Sequence, residues 1–252
     1  MAASADIEFD VSPSCWQRFV PVAKSRGLKR KGAGYHHGDL RRALVEATLN
    51  LVAAHGTAGF TLRAAAKLAG VTDGAPYHHF EDKEALLAAV AEESFELLCR
   101  EMQSASERHG GDVRRRSRAM VVAYVLFAAK QPSRFRIMFG PVAESRDRHP
   151  GLAASAAKTH RLMRHALSRA VGGDLLAPKH VLVKAWALIH GLAVLTIDGH
   201  LGSTARTPKK LESLAWDALE SLERMARSAG DAAPKSGRRA RSRAVRTSRE
   251  TA

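Results

Sequence analysis

The stretch Gly70-Val71-Thr72-Asp73-Gly74-Ala75-Pro76-Tyr77-His78-His79-Phe80-Glu81-Asp82-Lys83-Glu84-Ala85-Leu86-Leu87 decides the reading of this 252-residue chain. Gly70 breaks one short helical run, and Thr72 is a candidate N-cap for the next, with Asp73 favoured at the positive end of the helix dipole. The spacing predicts a very short helix over 73–79. Phe80 then returns to the core, and Asp82 restarts a long helix through Leu86, Leu87, Val90, Ala91, Leu97 and Leu98, which Gly110 and Gly111 end. Working upstream, 62–69 reads as a helix capped by Thr61, its Ala64, Ala65, Ala66 and Ala69 small enough for close packing. Before it Leu40, Ala43, Leu44, Ala47 and Leu51 share one helical face, Arg41, Arg42, Glu46 and Asn50 lie opposite, and Gly56 stops the run. Two short helices joined by a Gly-Val-Thr turn and braced by a longer one form a helix-turn-helix, the arrangement that sets a recognition helix in the major groove.

Residues 35–87, and the quoted stretch above all, closely resemble the DNA-binding domain of the tetracycline-repressor (TetR) family of regulators. The resemblance implies roles for particular residues. Thr61 and Thr72 offer hydroxyl and backbone N–H groups to phosphates, Tyr77 and His79 stand where the family touches the sugar-phosphate backbone, and Lys83 is placed for a further phosphate. Base reading falls to Thr72, Asp73, Gly74, Ala75 and His78, with Arg63 as a long-reach contributor. Because Gly74, Ala75 and Pro76 bring no side-chain donors, readout is expected to rest on thymine methyl contact, DNA shape, Arg63 and His78.

Past the long helix the pattern is helix, break, helix with no clear strand, over 113–130, 132–139, 151–171, 178–200 and 208–228. Pro132, Pro178 and Pro208 stand at or near helix starts, where a missing N–H costs nothing, and Thr207 can cap the last helix. The expected architecture is all-α with about nine helices. Its parts are a basic N-terminal arm over 1–34, a DNA-binding domain over 35–82, a sensor and dimerisation domain over 83–229, and a disordered basic tail over 230–252. The stretch 120–129 is apolar nearly all round, which predicts a central buried helix. Trp186, Ile189, His190, Ala193 and Ile197 share another face, as do Leu211, Leu214, Ala218, Leu222 and Met225. Ile197 with the last-helix set forms the expected dimer surface. The string Ala185-Trp186-Ala187-Leu188-Ile189-His190-Gly191-Leu192-Ala193 resembles the Trp-x-x-x-His-Gly signature of one subgroup of TetR-type C-terminal domains. That resemblance implies a small-molecule effector, with Tyr124, Phe127, Met138, Phe139, His160, Met163, Trp186 and His190 as candidate pocket residues; for most of them the reading as packed core is the stronger one.

Composition narrows the alternatives. A formal charge of +15 draws the chain to a polyanion, and double-stranded DNA is the expected partner. Cys15 and Cys99 are too few for a disulfide scaffold and too isolated for a spaced-pair zinc site, so no metal or cofactor is expected and a reducing cytoplasm fits. The N-terminus opens on Asp6, Glu8 and Asp10 without a cleavable leader, and no apolar run is expected to reach the roughly 18 residues of a membrane span. No His-Glu-x-x-His, Gly-rich phosphate loop or nucleophile motif is present, and the neighbours His36-His37 and His78-His79 do not face a common ion, so no catalytic residue is expected. The reading is a dimeric regulator, a repressor released by an effector. The alternatives are a nonspecific DNA-coating protein, which the basic tail and side-chain-poor reader suggest, and a regulator of this fold that activates or takes no ligand.

Overall fold

The computed structural model describes residues 37–109, 111–172 and 179–231. The N-terminal arm, Pro178 and nearly all of the basic tail lie outside the described residues. Those that are described form eight α-helices and no strand: α1 (His37–His55), α2 (Leu62–Ala69), α3 (Lys83–Arg108), α4 (Val113–Lys130), α5 (Pro132–Met138), α6 (Pro150–Gly172), α7 (Lys179–Ile197) and α8 (Pro208–Asp231). The ninth expected helix, over 73–79, is a single 3₁₀ turn, Ala75–His78. Its bonds run from Ala75 N–H to Thr72 C=O, from Tyr77 N–H to Gly74 C=O and from His79 N–H to Pro76 C=O. Pro76 has no N–H to extend a ladder, and Phe80, 5 % exposed, is drawn into the core before a second turn can form. Thr72 therefore does not cap by its side chain as expected; its carbonyl accepts instead.

Other punctuation follows the sequence. Thr61 accepts from Ala64 N–H at 3.1 Å at the start of α2, Asp82 from Ala85 N–H at 2.7 Å at the start of α3, and Thr207 from Lys210 N–H at 3.3 Å in α8. Gly70, at φ 74°, ends α2 with a Schellman pair in which Val71 N–H reaches Ala66 C=O and Gly70 N–H reaches Lys67 C=O.

α4 is the central helix, packed on by α3, α5, α6, α7 and α8. Its residues 119–125 are buried without interruption, as the all-round apolar pattern predicts. α8 closes over α4 through Glu223, 8 % exposed, which pairs with Arg114 and Arg118; Arg118 also lies 5.8 Å from the Trp216 ring centroid. Leu211 and Leu222, expected on a dimer surface, point inward with Ala215 and Leu219 at 6 % exposure or less. The 3.6-residue period marks that face as apolar, and the chain's own core covers it. Met225, of the same expected set, does point outward, and Val183, Leu188 and Leu195 on α7 are exposed apolar groups outside that set. α7 is long and apolar enough to cross a membrane by length and mean hydropathy (1.7), although 28 % of that window is buried inside the chain. Lys184 sits within it, and the helix packs on α4, α6 and α8.

Candidate DNA-reading face and sensor core

α2 and the 3₁₀ turn meet on one side of the N-terminal unit. Thr61, Arg63, Thr72, Asp73, Gly74, Tyr77 and His78 are all exposed there, while Ala75, His79 and Lys83 are half-buried. Tyr77 is 57 % exposed, unusual for a tyrosine without a partner surface. Arg63 Nε lies 3.9 Å from Asp73 Oδ2, so this long cation of α2 leans toward the turn. Sequence reasoning passed over Lys67, exposed one helical turn after Arg63; the i, i+4 spacing was the available signal. Lys83 is held back from solvent: its ammonium donates to the Ala58 carbonyl at 3.3 Å and stands 5.6 Å from the Phe60 ring centroid. The face is polar and net basic, suited to phosphate oxygens and a groove.

The reader joins the larger unit through α3 and α5. At the start of α3, Glu84 is held below the usual carboxylate range by hydrogen bonds from Ser145 and His149, then by the charge of Arg148. From α5, Arg134 donates to Ser94 Oγ at 3.2 Å; burial lowers its pKa, and the carboxylates of Glu93 and Glu46 oppose that. Arg136 donates to the Ile197 carbonyl at 2.9 Å and pairs with Asp198, at the end of α7.

Between these ties lies an aromatic cluster. His190 is stacked between Trp186 (5.2 Å, 16°) and Phe135 (5.6 Å, 26°), with Phe139 edge-on at 4.8 Å. Its Nδ1 lies 2.7 Å from the Tyr124 hydroxyl. Burial pushes the Tyr124 phenol up and the His190 imidazole down, so both rest neutral. Of the candidate pocket residues, Tyr124, Phe139, Trp186 and His190 meet here, and the exposed His160 reaches Trp186 at 5.8 Å. Phe127, Met138 and Met163 are at most 1 % exposed and serve as packed core. Phe135, absent from the candidate set, is central; its spacing of four from Phe139 was the signal.

Cavities of about 450, 440 and 210 Å³ lie between α4 and α8 at Arg118 and Trp216, between α1 and α5 at Glu46 and Arg134, and beside Lys83. Among the described residues no three His, Cys, Asp or Glu side chains gather closely enough to hold a metal ion.

Residues 44–90 match the family model described as bacterial regulatory proteins, tetR family, and residues 117–219 match the tetracyclin repressor-like C-terminal domain. The chain belongs to the tetR family. It is a tetR-family transcription regulator whose two matched parts span more than half its length. A Rhodococcus sp. RHA1 protein of unknown function is similar to it at 27 % identity over 77 % of this chain and 98 % of that one, with a TM-score of 0.61. A bacterial regulatory protein in the tetR family from Rhodococcus RHA1 shares the fold at 24 % identity, 74 % and 96 % coverage and a TM-score of 0.57. A TetR family transcription regulator from Marinobacter aquaeolei VT8 shares it at 22 %, 72 % and 95 %, and 0.52.

Proposed function

We propose that this tetR-family regulator is a cytoplasmic repressor that binds a pseudo-palindromic operator as a homodimer and leaves it when a small molecule binds the C-terminal unit. The observation that carries the reading is the exposed face shared by α2 and the Ala75–His78 turn, within the residues that match the family's DNA-binding model. Thr61, Thr72, Tyr77, His79 and Lys83 hold phosphates and fix register, with Lys67 added to them. Arg63, Asp73, Gly74, Ala75 and His78 face the bases. Units over 35–82 and 83–229 carry reading and sensing. The outward apolar surface of α7, with Met225, Leu214, Ala218 and Ile197 beside it, meets the second copy. The two readers then stand one DNA turn apart, about 34–36 Å, or a multiple of it. The Tyr124–His190 cluster senses the effector, which acts by binding the DNA-bound and released conformers with different affinity.

Selection from a random duplex pool, followed by comparison of the winner with a scrambled duplex at near-physiological salt, tests the reading. An enriched palindrome bound about 10³-fold or more tightly than the scramble is expected. Uniform, steeply salt-dependent binding would instead support a DNA-coating protein, a second reading favoured by the donor-free Gly74-Ala75-Pro76 tip and the +15 charge.

A further inference from the structure

We propose that the cleft beside Lys83 is a binding site for a small apolar monocarboxylate, separate from the Tyr124–His190 cluster, with Lys83 as the counter-ion. Three parts of the chain wall it: Thr57 and Ala58 from the turn after α1, Lys83 and Leu87 from the first turns of α3, and Ile137, Pro141 and Val142 from the end of α5 and the turn after it. Leu87, Ile137 and Val142 form a buried apolar floor. Among the seven walls there is one charge, and it is positive. Lys83 lines this cleft, its ammonium giving one of three N–H donors to the Ala58 carbonyl and standing 5.6 Å from the Phe60 ring centroid. A carboxylate there gains a charge-assisted hydrogen bond, and its hydrocarbon tail covers the floor. The volume, about 210 Å³, is below that of a drug-sized site and sets the ligand at about six to nine non-hydrogen atoms.

Position gives the site a second consequence, which rests on the DNA-binding reading above. A ligand here touches the reader's turn, the connecting helix and the sensor's turn at once, so its affinity depends on how the reader sits against the sensor. It also occupies Lys83, which the proposed function assigns to a DNA phosphate. Occupancy of the cleft and grip on DNA therefore oppose each other.

Calorimetry on the full chain without DNA tests the site, with sodium hexanoate as probe and hexan-1-ol as its uncharged counterpart. Hexanoate is expected to bind at least about ten-fold more tightly than the alcohol, the size of one charge-assisted hydrogen bond. Lys83→Met should make the two equal, and Ala58→Phe, at an exposed position on the rim, should remove both. Equal wild-type affinities, no binding of hexanoate, or full affinity in Ala58→Phe would overturn the site. A second titration uses the selected duplex, with sodium chloride matched because salt alone weakens DNA binding. Saturating hexanoate should weaken the wild-type complex about ten-fold and leave the Ala58→Phe complex insensitive. Hexanoate uptake with unchanged DNA affinity would overturn the coupling. A chain that takes up hexanoate yet selects no duplex would sink the DNA-binding reading and leave the site standing.

Discussion

His190 sits with both ring faces covered and its Nδ1 against Tyr124, so its protonation costs the folded state more than the unfolded one. Its folded pKa is below the ordinary value of about 6.5, through burial. The unfolded chain then takes up its proton first as pH falls, and the stability this group contributes is present above about pH 6.5 and lost as pH drops through the folded value. Thermal unfolding across pH 5–8 should show the wild-type midpoint falling faster below pH 6.5 than that of His190→Gln; parallel curves would remove His190 from the account. On the reading face, Arg63→Ala should narrow the gap between selected and scrambled duplexes by about 1–3 kcal/mol, whereas Lys67→Ala should weaken both alike and flatten the salt slope by about one. Unequal losses for Lys67→Ala would make it a base reader instead. The outward side chains of the reader were legible in the sequence because turn chemistry and the family pattern fix which way they point. Phe127, Met138 and Met163 were not separable from pocket walls, because an apolar side chain reads the same whether it faces a void or a neighbour.

Among the elements, the helix starts were legible wherever a side-chain oxygen stood one residue ahead of the run, as at Thr61, Asp82 and Thr207. The segment after Thr72 carried the same signal and became a 3₁₀ turn, since Pro76 and the inward pull of Phe80 act over a span shorter than two helical turns. Gly70 holds the turn between α2 and that segment at φ 74° with open space about it, so Gly70→Ala meets no neighbour and pays only the left-handed backbone cost of about 1–2 kcal/mol. Calorimetric unfolding should show a drop of a few degrees, about 2–4 °C per kcal/mol at this size. The clasp of α8 on α4 is more demanding. Glu223→Leu leaves the largely buried Arg118 without its main counter-charge and should destabilise by about 3 kcal/mol in urea unfolding, measured by the shift in midpoint. A loss under about 1 kcal/mol would mean that Glu220, 3.8 Å from Arg118, takes over the role.

At the scale of the molecule, one outward face is left apolar: α7 shows Val183, Leu188 and Leu195 at 40–60 % exposure, with Met225 of α8 at 61 %. Sequence periodicity placed this surface on α8 together with Ile197 of α7 and passed over Val183, Leu188 and Leu195, because both helices carry an apolar stripe and only packing decides which stripe the core takes. Leu188→Glu with Leu195→Glu should halve the mass measured by light scattering, leave the helical circular dichroism intact and weaken operator binding about 10²-fold or more through lost bivalency. An unchanged mass would place the partner surface elsewhere. The 26 residues of α3 start at the DNA-reading face and run deep into the C-terminal unit, a rod about 39 Å long. For a rod of this length a tilt of only about 5° displaces one end relative to the other by about 3 Å, close to the ~3.4 Å step between neighbouring base pairs. Repacking too small to disturb the core is thus on the scale of one letter of a DNA site.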